Sequence, residues 1–358
     1  MKETALSIVA AVAASSIGLF ALSGCGQTKA EKPRLKIVAT TFPIYDWTRE
    51  VLGDRLAETD LVLLQQSGVD LHSYSPSAAD LRQIASCDLF VFVGGESDEW
   101  TERALAQGGK DGRRVLSLVK ALGSAAKEEK IVEGMEHEHH HHDADHDDDH
   151  DKEAQGHDKK HDHDEGKDHD HGDHDHDEDE HEIDEHVWLS LRHAATLVKG
   201  IAEDLAALDP ANAGTYRANA AAYCERLGAL DHAYAETVAN GKRKTILVAD
   251  RFPFRYLADD YGLTYFAAFS GCSAESEASF KTIAFLAKKV DELALPVILT
   301  MEGANHKIAE TVKRTAKAKD QRILTLDSLQ STGGEAAKTT RYLDVMARNL
   351  ETLKSALD

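Results

Sequence analysis

The sequence predicts an α/β protein of two similar lobes, each a parallel sheet flanked by helices, joined by one long helix. Three observations predict it. Strand-like and helix-like segments alternate before residue 133 and again after residue 241. A long Ala-rich run without internal proline lies between the two alternating regions. One acidic low-complexity segment interrupts the pattern and continues neither part of it.

Taken in order, residues 35–40 (LKIVAT) read as a strand and 43–53 as a helix. Residues 59–64 are a second strand, and 77–86 have helical spacing with Pro76-Ser77 as a start. Residues 88–93 (DLFVFV) form a buried strand that stops at Gly94-Gly95. Residues 187–208 show helical periodicity up to Asp209-Pro210, and a second helical run from about 211 ends at Asn240-Gly241. Strands follow at 244–249, 296–301 and 322–326, with helices near 254–261, 280–293, 307–318 and 341–357.

Charge is unevenly placed. The chain has 41 basic and 63 acidic residues, a net of -22. Residues 133–185 alone hold 25 acidic residues, 4 Lys and 15 of the 20 His, so the remainder is close to neutral. No basic patch is left that would suit a nucleic acid, and none is expected as a partner. The acidic segment has almost no apolar residue to offset its ordering entropy, which predicts a disordered loop. Its imidazoles suit auxiliary metal collection, notably His139, His140, His141, His142, His161, His163, His169, His171, His174 and His176. Collection should weaken as pH falls through about 6.5, where imidazole protonates. The other reading is a solvated, dispensable insert.

At the N-terminus, residues 5–22 are small or apolar, shorter than the roughly 20 residues a span needs. Lys2 is offset by Glu3, so the basic region is thin. Leu22-Ser23-Gly24-Cys25 resembles the bacterial lipobox, in which the Cys is lipidated. The expected organisation is a signal peptide at 1–24, a tether at 25–34 and a first lobe at 35–209 containing the loop at 133–185. A connecting helix at 210–240 and a second lobe at 241–358 complete it. Cys25 is then the membrane anchor of an extracytoplasmic protein, on the cell surface or in the periplasm.

Cys87, Cys224 and Cys272 permit at most one disulfide. None has a CxxC partner, so spacing gives no support to a zinc–thiolate site. Cys87 and Cys224 read as buried small hydrophobes. His72 lies in a loop between a strand and a helix start, where parallel sheets place ligands, and His186 stands where the acidic segment gives way to a helix.

Several motifs in order resemble the metal-binding (cluster A-I) solute-binding proteins of ABC importers for zinc and manganese. They are Val38-Ala39-Thr40-Thr41-Phe42-Pro43, His72-Ser73-Tyr74 with Pro76, His186-Val187-Trp188-Leu189, Tyr256 with Tyr261-Gly262, and Leu326-Asp327-Ser328-Leu329. An acidic His-rich loop before the second ligand is typical of the zinc-specific branch. The resemblance implies a rigid connecting helix, metal in the cleft between the lobes, and His72, His186 and Asp327 as ligands. Two imidazoles and a carboxylate suit Zn2+, and Mn2+ is the alternative because it tolerates more oxygen. By itself, Asp327 reads first as a helix N-cap or turn residue after a strand.

The third ligand is where the sequence departs, since the family's His or Glu position falls on Arg251. Asp250 is one substitute, unless it pairs with Arg251. His306 is another, unless it caps the next helix. Leu71 and Ser75 also differ from the family's usual Pro and Glu. The resemblance implies a monomeric, non-catalytic carrier that delivers metal to an ABC permease. A metallohydrolase lacks any compact His-Glu-x-x-His motif. A metal buffer working through the loop, or a manganese or iron carrier, are the other readings.

Overall fold

Runs of β-branched and aromatic residues form the strands, and every strand pairing is parallel. The computed structural model describes residues 34–66, 68–136, 182–273 and 277–358. The expected signal segment, nearly all of the expected tether including Cys25, and the ten histidines expected to collect metal lie outside the described residues.

The first lobe contains β1 (Leu35–Ala39), α1 (Phe42–Leu52), β2 (Thr59–Leu63), α2 (Ala78–Ser86), β3 (Leu89–Phe92), α3 (Trp100–Ala106), β4 (Arg114–Ser117) and α4 (Leu118–Leu122). Then come α5 (Leu191–Leu208) and α6 (Ala213–Asn240). The second lobe has β5 (Thr245–Phe252), α7 (Arg255–Tyr261), β6 (Thr264–Ser270), α8 (Phe280–Glu292), β7 (Val297–Met301), α9 (Lys307–Thr315), β8 (Arg322–Leu326), α10 (Gly334–Thr339) and α11 (Tyr342–Leu357).

Both sheets have four strands in the same spatial order, β2-β1-β3-β4 and β6-β5-β7-β8. In each, the order reverses beside the first strand, which opens a crevice at the carboxyl ends of the strands. Local chemistry sets the boundaries. Ser77 and Asp80 form a reciprocal capping box at the start of α2. Gly262, left-handed at φ 67°, closes α7.

The connecting helix α6 has 28 residues. It buries Tyr216, Ala220, Tyr223, Leu227, Tyr234 and Val238, a stripe at three- and four-residue spacing. That stripe belongs to one apolar cluster running from Ile37 and Trp47 in the first lobe through Trp188 and Tyr342 to Val297 and Leu299 in the second. Polar contacts join the lobes as well. Trp188 Nε1 donates to the Ser328 carbonyl at 2.8 Å, and the Tyr342 hydroxyl donates to the Trp188 carbonyl at 2.6 Å.

Several sequence expectations are corrected. Strands β4 and β6 had not been read, because a short exposed run and one containing two alanines carry no clear period-two signal. Strand β5 runs on through Asp250 and Arg251 to Phe252. The helix expected from residue 187 opens instead with a 3-10 turn, Val187–Leu189, and α6 is preceded by another at Pro210–Asn212. The expected loop also claimed too much chain. Met135 is buried, Glu136 bridges to Phe269, and Asp184 and Glu185 are each 1% exposed. Charged composition hid this, since the fold spends those two carboxylates on the centre described next. Among the described residues no helix is long and apolar enough to cross a membrane.

Candidate metal centre

His72 is set by the loop leaving β2. Asp70 caps the 3-10 turn Leu71–Ser73, its carboxylate accepting the His72 backbone N–H at 3.0 Å. The His72 Nδ1 lies 2.7 Å from Ser97 Oγ and 3.7 Å from Glu185 Oε2. Glu185 Oε1 accepts the Ser97 backbone N–H at 2.7 Å. Gly95 permits this approach: its φ is +95°, and a Cβ there would stand 2.5 Å from Glu185 Oε1.

His186 is completely buried. Asp184 Oδ1 accepts both its backbone N–H, at 3.0 Å, and its Nδ1–H, at 2.9 Å. A carboxylate only accepts, so the proton on Nδ1 leaves the Nε2 lone pair facing inward. That Nε2 stands 3.2 Å from His72 Nε2 and 3.0 Å from Gln330 Oε1. Gln330 is oriented by its amide nitrogen, which donates to Asp70 Oδ2 at 3.1 Å. With His72 in the matching tautomer, its Nδ1–H directed at Ser97 Oγ, two imidazole nitrogens and an amide oxygen would present lone pairs to one point. Such a convergence of acceptors calls for a cation. A tetrahedral ion about 2.0–2.1 Å from each nitrogen would hold the two nitrogens roughly 3.3 Å apart.

The electrostatics of the two rings differ: His72 is held neutral, whereas His186 favours a proton that a bound cation would displace. Burial, followed by the charge of His186, lowers His72 to about 3. Burial also opposes a proton on His186, but the Asp184 hydrogen bond and the charges of Asp184 and Glu185 outweigh it and raise its pKa. Burial pushes Glu185 up to about 7 against the pull of Ser97.

Cys272 is the third residue of this cluster. One ligand atom from each of His72, His186 and Cys272 lies within 4.8 Å of the others. The loop leaving β6 carries it, with its backbone N–H donating to Glu129 Oε1 at 2.7 Å. Burial, and then Glu129 and Asp184, raise its thiol well above the ordinary value. Cys87, Cys224 and Cys272 are all unbridged. A thiol at this place corrects the expectation drawn from the lack of a CxxC pair, because the partners here are imidazoles distant in sequence.

The other expected ligands are placed elsewhere. Among the described residues, Asp327 forms no such group with the histidines. It makes an Asx turn, with Oδ1 accepting the Leu329 N–H at 2.9 Å. Asp250 accepts the backbone N–H groups of Arg251, at 2.9 Å, and Met301, at 3.4 Å. His306 occupies the N-cap position of α9, with Nδ1 3.4 Å from Thr300 Oγ1. Arg251 reaches across to Asp70 Oδ2 at 2.6 Å and to the Ser273 carbonyl at 3.4 Å. Asp70, Asp184, Glu185, Cys272 and Gln330 were not singled out from the sequence. Nearness to the two histidine motifs and to Leu326-Asp327-Ser328-Leu329 could have pointed to Asp70, Asp184, Glu185 and Gln330, but no such signal marks Cys272.

Comparison with known proteins agrees with this architecture. The zinc-binding lipoprotein AdcA of Streptococcus pneumoniae serotype 4 is 33% identical over 345 residues, which is 96% of this chain and 60% of that protein. The chain thus spans well under two thirds of that relative's length. The high-affinity zinc uptake system protein ZnuA of Bacillus subtilis is 30% identical, covering 99% of this chain and 98% of that one. Among solved structures, the Zn(II)-bound ZnuA-like domain of S. pneumoniae AdcA superposes with a TM-score of 0.64 at 28% identity. That match covers 91% of this chain and all of the domain. The family model described as zinc-uptake complex component A, periplasmic (ZnuA), matches residues 37–356, and to that family this chain belongs.

Proposed function

We propose that this chain captures a divalent transition metal, Zn2+ in the first instance, outside the cytoplasm and hands it to an ABC permease for import. One observation carries the reading: two imidazole Nε2 atoms 3.2 Å apart, with both Nδ1 atoms engaged by oxygen. Nitrogen-rich donors favour Zn2+ over Mn2+, which prefers oxygen. The relatives named for zinc binding and zinc uptake support the same cargo. Cys25, in a lipobox-like setting, would anchor the protein to the membrane, as the lipoprotein name of the pneumococcal relative suggests. The protein would work as a monomer, with catalysis no part of its role.

The apolar cluster shared by the two lobes favours a stiff carrier, so release would require the permease to disturb the cleft. The residues proposed to hold the cargo are His72 and His186. A second reading, metal buffering by the His-rich segment, draws on Arg251, a cation reaching to the edge of the centre.

Titrating zinc and manganese into residues 26–358, beside a version without 138–180, tests the choice. One tight zinc site that survives the deletion and disappears with His72→Ala is the expected outcome. Tight binding that leaves with the segment and ignores His72→Ala would replace carriage with buffering.

A further inference from the structure

The loop after β6 is built to deliver a thiol. Gly271 lies flat against His186: a Cβ there would be 3.2 Å from the imidazole Cε1, 3.0 Å from the Phe252 carbonyl and 3.1 Å from Pro253 Cα. Any side chain there would press on backbone and on the ring, and the next residue is Cys272. The Glu129 carboxylate then fixes that residue's backbone. Arg251, the nearest alternative from the second lobe, cannot bind a cation, and its guanidinium is held by Asp70 and the Ser273 carbonyl. Among the described residues of the second lobe, Cys272 is the anionic donor grouped with the two imidazoles.

We propose that Cys272 binds the metal as a thiolate beside His72 and His186, with the Gln330 amide oxygen in the fourth position. The proposal rests on the cargo reading above and specifies its chemistry. As the Zn–S bond forms, the thiol proton leaves to solvent, so one proton is released per metal bound at this sulfur. A thiolate with two imidazoles is a softer set than three nitrogens and a carboxylate. It should rank Zn2+ and Cd2+ well above Mn2+.

The test uses residues 26–358, the same chain as in the titration above, which leaves out Cys25. Co2+ replaces zinc as a reporter, because thiolate ligation gives a near-ultraviolet charge-transfer band that imidazole and carboxylate ligation do not. We expect one equivalent of cobalt to produce the band in the parent and in Cys224→Ser, and none in Cys272→Ser. Cys272→Ser should also lower zinc affinity by roughly 100-fold, at least the cost of losing a partner that only orients a ligand.

A parent-only measurement guards against a variant that folds badly. Bound zinc should protect Cys272 from alkylation, read by mass spectrometry, and leave Cys224 alkylated at its metal-free rate. A parent that binds zinc through His72 with no band, no protection and an unaltered Cys272→Ser titration would overturn the thiolate while leaving the cargo reading intact. Loss of any tight, His72-dependent site in the parent would overturn both.

Discussion

The two lobes share one strand order but bring different chemistry to the crevice between them. From the first come His72, Ser97 and the Asp70 carboxylate, and the segment just before α5 adds His186 with Asp184 and Glu185 behind it. Its nitrogens are each backed by an oxygen that fixes the ring. The second lobe offers a thiol, an amide oxygen and a cation from the ends of β6, β8 and β5. The shared fold fixes where the loops arrive, and the loop residues decide what they do there.

Removing an imidazole should break the comparison most completely. His186→Ala takes away a proposed ligand and leaves the Asp184 carboxylate, 1% exposed, without its imidazole. Zinc affinity should fall by more than the roughly 100-fold cost of losing a supporting partner. The metal-free protein should lose about 3 kcal/mol, the scale of breaking a buried pair from one side. Calorimetric titration and denaturant unfolding report the two effects separately, and an unchanged affinity would remove His186 from the centre.

The lobes also mirror one another in their buried carboxyls. Burial, then the Asp327 charge, pushes Glu302 up to about 7 in the second lobe, and Glu185 stands at about 7 beside the first. Each has a folded pKa above its unfolded value, so folding favours the protonated form. That stabilisation is complete below about pH 4.5 and disappears as pH rises through 7. Glu302→Gln should therefore gain on the parent by about 2 kcal/mol between pH 4.5 and 8, discounted from the full shift. His72, lowered to about 3, works in the opposite direction below about 6.5, and Glu185 persists in both proteins. The difference between variant and parent is accordingly the quantity to follow by unfolding at each pH. A constant difference across that range would remove Glu302 as a titrating group.

Arg251 gives a smaller effect with two signs. Arg251→Met removes a cation from the edge of the centre and should tighten zinc by roughly three- to tenfold. It also breaks the Asp70 pair across the cleft, whose partners are 19% and 22% exposed, lowering metal-free stability by about 1 kcal/mol. Weaker zinc binding would mean that the pair holds His72 in place, and that its charge matters less than its position.

How far the sequence disclosed this centre depended on backbone regularity. His72 and His186, whose rings the structure brings together, could be singled out because each sits in a compact motif beside a regular element, where spacing survives folding. Asp327 was expected as a ligand, yet Gln330 is the residue that reaches His186. The cause is local: Asp327 folds back on the Leu329 N–H, Leu329 takes φ 64°, and the turn delivers the residue after it. Cys272 was missed for a different reason. It follows β6, a strand that had not been read, and its partners lie 86 and 200 positions away in sequence. The repeated sheet was legible from alternating runs. The irregular loops that end those strands were not, because no periodic signal encodes their path.

The weakest expected effect separates scaffold from centre. The Tyr256 hydroxyl, on α7 of the second lobe, donates to the Asp184 carbonyl at 2.8 Å and accepts the Lys127 N–H at 2.9 Å. It thus ties both flanks of the acidic segment to the second lobe. His186, however, is held by the Asp184 carboxylate, which this hydroxyl does not touch. Tyr256→Phe should cost about 1 kcal/mol of stability, the net worth of a buried hydrogen bond, and change zinc affinity by less than about threefold. A tenfold or larger loss of affinity in a variant that still unfolds cooperatively would show that the path of the 182–186 backbone, and not the carboxylate alone, sets the imidazole. The supporting oxygens of the first lobe would then depend on the second lobe as much as the metal does.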